Sequence, residues 1–349
     1  MLFGEIDHNY KIKNRNDILR FFKTNNLKFL REVLPLKKSY DFNLPSIYIK
    51  TFKRLNHELK NNIYFIEDYY NFSGSFKDRA SLIACLDAKE KRFKEISVAS
   101  SGNAAISTAI FCNMFELKCS VFIPSFSSVE KKKYLKNLGC KIFEFDLPYS
   151  KVVKKCIEYS KKKKTYNRCT AINPITRDGK KIFSYELLAK FEKKIDFFVL
   201  PVGDGNILSG CIKGFLELKK LKFLKNIPKI IGVQSASSPS FYNQFKMNIN
   251  TPIINKASSI CDSINVDYPL DGHFAYEYLK KVKGEMFVDK DKEILKAKNF
   301  LLKKFGINCC AASAATFSVA KKIIKNKKIQ NKNIVLLLTG TGFKDLNNN

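Results

Sequence analysis

Ile63-Tyr64-Phe65-Ile66, then Asn71-Phe72-Ser73-Gly74-Ser75, then a helix opening near Phe76: between residues 63 and 79 an apolar run gives way to a polar loop and a helix start. Four bulky apolar residues closed off by Asn, Ser and Gly read as a short buried strand and its turn. The same grammar recurs outward along the chain. A strand over 96–99 precedes a helix over 102–115, one over 119–123 precedes 129–138, and one over 141–145 precedes 151–164. Strands that alternate with helices build a parallel sheet covered on both faces. A second stretch of this kind holds apolar runs at 197–200, 229–233 and 334–338. The expected class is therefore α/β, with two doubly wound parallel-sheet domains. Before them, Ile18, Leu19, Phe22 and Leu27 give helical spacing over 16–34, which Pro35 ends. Residues 247–271 are polar and loop-like.

The chain's 349 residues leave room for two cores, and 45% hydrophobic residues suit a globular protein. Net charge is +31, which raises the question of a nucleic-acid partner. The lysines are spread along the whole chain, however, and runs such as Lys131-Lys132-Lys133 and 161–164 fall on helix surfaces or ends. Solvated faces, with no nucleic-acid partner, are the expectation. Ten cysteines form no CxxC pair, and His8, His57 and His273 stand far apart, so no metal site is expected. No stretch approaches about eighteen consecutive apolar residues, and the start has no apolar segment ahead of a cleavage site. A reduced, cytoplasmic protein without a membrane partner follows.

Four segments at strand-to-helix or strand-end positions carry chemistry. Ser73-Gly74-Ser75-Phe76-Lys77-Asp78-Arg79 puts a lysine beside helix amides, where its amine can lose a proton and attack an aldehyde; taken alone, a lysine at a helix start is more often solvent-facing. Ala99-Ser100-Ser101-Gly102-Asn103-Ala104 offers amides for an anion, or a simple helix cap. Pro201-Val202-Gly203-Asp204-Gly205-Asn206-Ile207-Leu208-Ser209-Gly210 has glycines that let backbone wrap an anion, yet is neither a Walker loop nor a GxGxxG turn. Leu338-Thr339-Gly340-Thr341-Gly342-Phe343-Lys344-Asp345 follows the last apolar run and sets a hydroxyl at its end.

In this order the four segments resemble the fold type II pyridoxal-phosphate enzymes, the tryptophan synthase beta-like family, and most closely the threonine synthases. The resemblance covers about 29–345 and extends to Asn173-Pro174 with Gly179-Lys180, to 230–234 and to 261–269. It implies a pyridoxal 5′-phosphate cofactor held by Lys77 as a Schiff base, with Asn103 on the ring 3′-oxygen. It implies a phosphate cup of Gly203, Asp204, Gly205, Asn206 and Ile207, and Thr339 facing the ring nitrogen. The Asp204 carboxylate is expected to point away from the phosphate, which would repel it. Ser101 and Gly102 would receive the substrate carboxylate. Arg177 and Lys180, with Lys181 nearby, are candidates for the substrate phosphate; surface charges are the alternative for all three.

The implied reaction is that of a carbon–oxygen lyase in threonine biosynthesis: O-phospho-L-homoserine and water give L-threonine and phosphate. Cysteate synthase and threonine dehydratase are the alternatives in the same fold, and a non-catalytic basic binding protein is the distant one. Departures from the family pattern are Ile66 for a lysine, Ser73 for a threonine, Thr176 where an arginine is common, and Cys310 for an acidic residue. The expected division assigns 1–80 with 186–349 to a larger cofactor domain and 81–185 to a smaller one, with the cofactor in the crevice. A homodimer is expected from the relatives.

Overall fold

The computed structural model describes residues 33–38, 40, 42, 45–100 and 102–345. The helix expected over 16–34 lies almost wholly outside them. Along the chain run β1 (Tyr48–Lys50), α1 (Lys53–Leu59), β2 (Asn62–Glu67), α2 (Asp78–Glu90), β3 (Glu95–Ala99), α3 (Asn103–Met114), β4 (Lys118–Pro124) and α4 (Val129–Asn137). There follow β5 (Lys141–Phe145), α5 (Tyr149–Lys163), β6 (Tyr166–Asn167), α6 (Ile175–Lys190), β7 (Phe197–Pro201), α7 (Asn206–Lys220), β8 (Lys229–Ser235) and α8 (Ser240–Lys246). The chain closes with α9 (Gly272–Lys281), β9 (Glu285–Asp289), α10 (Asp291–Phe305), α11 (Ala311–Asn326) and β10 (Asn333–Leu338).

Two compact units result. One takes the described residues before Ser46 and Asn71–Tyr185; the other takes Ser46–Tyr70 and the chain from Glu186 onward. Of residues 1–80, grouped from the sequence with 186–349, the described residues before Ser46 and residues 71–80 cluster instead with 81–185. The reason is local: the Phe76 and Phe183 rings meet at a tilt with centroids 5.4 Å apart, and the Arg79 guanidinium lies over both rings. That aromatic anchor ties the loop to α6.

The first unit's sheet has the order β5-β4-β3-β6, all parallel. The second unit's sheet has the order β1-β2-β10-β7-β8-β9, parallel throughout except for β1, which pairs antiparallel with β2. Its central strand β10 is an unbroken apolar run because both its faces are covered: Ile334, Val335, Leu336, Leu337 and Leu338 are all buried. α11 covers one face with Ala314, Ala315 and Phe317 against Phe65, Val199 and Leu336. Each such aliphatic side chain withdrawn from water contributes roughly 1.5–3 kcal/mol before entropy is set against it. In both units every parallel strand therefore ends at one edge of its sheet, and helices start there.

All ten cysteines are buried, and none forms a disulfide among the described residues. Among the described residues no helix is long and apolar enough to cross a membrane.

Candidate active site

The carboxyl edge of the first unit gathers three helix starts. At α2, Asn71 brackets the loop: its Oδ1 accepts from the Ser75 amide and its Nδ2 donates to the Ser75 carbonyl, both at 2.9 Å. Gly74 sits at φ +65°, where a side chain would be strained. The Asp78 carboxylate accepts from the Ser73 amide at 2.8 Å, closing the loop over the first turn. Lys77 is thereby fixed in helical conformation immediately ahead of α2, half-buried, its carbonyl accepting from the amides of Ala80 and Ser81.

At α3, the Gly102 amide donates to the Ser100 hydroxyl at 3.2 Å, and Asn103 is the first helical residue, half-buried. A side chain built on Gly102 would meet nothing within 4 Å, so space lies open beside this loop. Ser101 lies outside the described residues. Hydroxyls of Ser81 and Thr108 stand 3.3 Å apart and join α2 to α3. Both helices lead into or out of β3 with their N-termini at its carboxyl end, so Lys77 and Asn103 share an edge.

At α6, Asn173 Oδ1 accepts from the Ile175 amide at 3.1 Å, while its Nδ2 reaches the Asn167 carbonyl at 2.9 Å. A carbon on Gly179 would lie 2.5 Å from the Arg79 carbonyl oxygen and 2.9 Å from Ala80 Cα, so α6 presses directly on the first turn of α2. Arg177, Lys180 and Lys181 are not surface charges: their exposures are 1%, 0% and 0%. Close helix packing, which Gly179 permits, takes them out of water. Lys181 pairs with Asp178 at 3.0 Å, both side chains fully buried.

In the second unit, β7 ends in the turn to α7. Gly205 has φ +92°, and a side chain there would stand 2.8 Å from Ala275 Cβ and 3.1 Å from the Asp271 carbonyl. A side chain on Gly203 would stand 3.2 Å from the Ile264 Cα. The Asp204 carboxylate turns back on the loop, accepting from the Asn206 amide at 3.0 Å, so this amide serves the turn itself rather than an incoming ligand. The amides of Gly203, Gly205 and Ile207 have no partner among the described residues. The Asn206 side chain, fully buried, donates to Asp271 at 3.1 Å.

β10 ends one strand away. The Thr339 amide donates to the Ser313 hydroxyl at 2.8 Å and the Gly340 amide to the same oxygen at 3.3 Å. The Thr339 hydroxyl itself has no hydrogen-bond partner among the described residues. Beside it, at the end of β2, Tyr69 donates to Glu67, whose other oxygen is 2.7 Å from Lys50. Burial, then the Glu67 carboxylate, pushes the Tyr69 hydroxyl far above its ordinary range.

Residues 49–340 match the family model described as pyridoxal-phosphate dependent enzyme. The chain belongs to that family. Pyridoxal 5′-phosphate is its cofactor. The pyridoxal-phosphate enzyme is 26% identical over 278 residues to the threonine synthase of Bacillus sp. (strain ULM1), covering 79% of this chain and 76% of that one. It is 26% identical over 287 residues to the threonine synthase of Methanocaldococcus jannaschii, covering 81% and 71%. Among solved structures it resembles serine racemase from Dictyostelium discoideum, with a TM-score of 0.74, 18% identity and 94% and 98% coverage. It also resembles threonine deaminase isoform 2 from Solanum lycopersicum, with a TM-score of 0.76, 17% identity and 100% and 96% coverage. These two likenesses concern the fold.

The residues present fit the cofactor of this pyridoxal-phosphate enzyme on two observations. Unpaired amides at the opening of the fifteen-residue α7 are the donors an anionic phosphate takes at a helix N-terminus. An unengaged hydroxyl at Thr339 is available to a ring nitrogen. Sequence spacing had no means of finding Asp271 and Ser313, which shape these two places from far along the chain.

Proposed function

We propose that this enzyme is a threonine synthase, converting O-phospho-L-homoserine and water to L-threonine and inorganic phosphate. The observation that carries the reading is the burial of Arg177 and Lys180 in the opening turns of α6, pressed against the start of α2 that Lys77 precedes. Cations held out of water suit a doubly charged phosphate ester, which surface lysines would bind weakly. The names of the curated relatives point the same way.

When bound, pyridoxal phosphate supplies an electron sink for charge that develops on the substrate. Lys77 holds it, and its amine moves the protons at the substrate's Cα and Cβ. Asn103 faces the 3′-oxygen, and Ser101 and Gly102 receive the substrate carboxylate. The amides of Gly203, Gly205 and Ile207 receive the cofactor phosphate, with Asp204 and Asn206 shaping the turn. Thr339 faces the ring nitrogen; a neutral hydroxyl does not hold that nitrogen protonated, which favours elimination and replacement over transamination. A cytoplasmic homodimer without nucleic-acid or membrane partners completes the proposal.

The test is release of threonine and phosphate from O-phospho-L-homoserine, with Lys77→Ala alongside. Equal yields, abolished in the variant, support it. Turnover of phosphoserine with sulfite, or of threonine to its 2-oxo acid, in place of this reaction would move the enzyme to one of the two alternatives.

A further inference from the structure

We infer that Asp271 is the positioning residue of the turn 203–207, fixing its donors for the cofactor phosphate without touching that phosphate. The inference rests on the reading that this turn receives the phosphate. Asp271 is 1% exposed, and it meets three residues of the turn and one of the helix that follows. Its carboxylate accepts from Asn206 Nδ2 at 3.1 Å and from the Ser209 hydroxyl on the next turn of α7. Its amide donates to the Asp204 carbonyl at 2.8 Å. Its own carbonyl sits 3.1 Å from where a side chain on Gly205 would project, so it backs the one residue whose positive φ shapes the turn.

The geometry explains why a buried carboxylate stands behind an anion site. A cup built from backbone amides is only as good as the rigidity of its loop, since each donor must be aimed before the ligand arrives. Asn206 and Ser209 occupy successive turns of α7, and one carboxylate bridging both locks the first turn of the helix in place. The negative charge is met by two side chains that both donate to Oδ2. It also opposes the partial positive end of α7, so its presence there is not explained by anion affinity alone. Placement of the loop is the effect that remains.

The experiment compares pyridoxal phosphate with pyridoxal, which lacks the phosphate. Both are titrated into full-length protein stripped of cofactor, with absorbance as the readout, for the wild type, Asp271→Ala, Asp271→Asn and Ser209→Ala. Loss of hydrogen bonds to a charged group should weaken pyridoxal phosphate by at least about tenfold in Asp271→Ala and leave pyridoxal unchanged. Asp271→Asn, which keeps one acceptor, should recover part of the loss. Ser209→Ala leaves Asp271 in place and should produce a smaller loss, again confined to the phosphorylated ligand, so the inference stays testable if Asp271→Ala does not fold. Equal weakening of both ligands in Asp271→Ala and Ser209→Ala makes Asp271 merely structural and overturns the inference. A wild type that binds pyridoxal as tightly as pyridoxal phosphate overturns instead the assignment of the turn to the phosphate, and the inference with it.

Discussion

Lys180 and Lys181 are neighbours in sequence and equally buried, and at 3.6 residues per turn they leave α6 about 100° apart. Lys181 lies 3.0 Å from Asp178 with both side chains fully enclosed. Removing one partner of such a pair leaves a charge in a poorly polarisable interior, which costs about 3–5 kcal/mol, far more than the pair contributes against an apolar replacement. Lys181→Met, which keeps the length of the stem, should therefore lower the urea midpoint sharply while the protein that remains folded still binds pyridoxal phosphate. A loss under about 1 kcal/mol would mean that the neighbours of Asp178 satisfy it without the lysine. Lys180→Gln should behave differently. If Lys180 meets the substrate phosphate, kcat/KM for O-phospho-L-homoserine should fall about a hundredfold with pyridoxal phosphate affinity preserved. A fall in stability with kcat/KM intact in the remaining folded protein would make Lys180 structural instead.

At the scale of elements, the contact of α6 on α2 decides whether those lysines are buried at all, and Gly179 decides the contact. In an exposed helix, glycine to alanine gains about 1 kcal/mol of helix propensity. Here the added carbon would stand 2.5 Å from a carbonyl oxygen and 2.9 Å from a Cα, both rigid backbone, so the two helices must separate. Overpacking of this kind costs about 1–3 kcal/mol and outweighs the gain. Gly179→Ala should therefore lower Tm and loosen the Lys77 loop, seen as weaker pyridoxal binding; a raised Tm would show that α6 has room to shift. Such contacts explain what the sequence could and could not disclose. The strand at 141–145 was readable to the residue and that at 334–338 to within one, because buried parallel strands are apolar runs that turn residues delimit. β9, with its half-buried Glu-Met-Phe-Val-Asp, and α11, buried nearly all round with small residues, carry no clear period and were not picked out. The pairing of Lys77 with its own segment was legible, since loop and helix are contiguous. The hold of Asp271 on Asn206, 65 residues away, and of Ser313 on Thr339, 26 residues away, was not, because no local spacing encodes a contact across the sheet edge.

On the scale of the whole molecule, 63 lysines and arginines against 32 acidic residues leave +31, and two opposing terms follow from it. Some carboxylates are held well: burial would raise Glu285, but Lys229 at 2.9 Å and Lys327 at 3.0 Å lower it below its ordinary value of 4.5. Burial opposes in the same way at Asp196, where the Asn333 amide and Lys194 bring the carboxyl below 3.8. Groups whose folded values are depressed contribute stability that is present above 4.5 and 3.8 respectively and is lost as pH falls through the folded values. Salt weakens these pairs but also screens the repulsion among the excess cations, and with twice as many cations as anions the repulsion is the larger sum. Raising ionic strength from about 0.01 M to about 0.15 M, which shortens the screening length from roughly 30 to 8 Å, should therefore raise Tm at pH 7. As pH drops towards 4 the carboxylates begin to neutralise, driving the chain towards the 63 positive charges of its lysines and arginines. Absolute stability should then fall while the gain in Tm from added salt grows. Thermal unfolding over a grid of pH and salt checks both at once. A salt effect that is negative at pH 7, or constant down to pH 4, would mean that paired charges outweigh the excess, so that the lysines are arranged around carboxylates rather than spread over solvated faces.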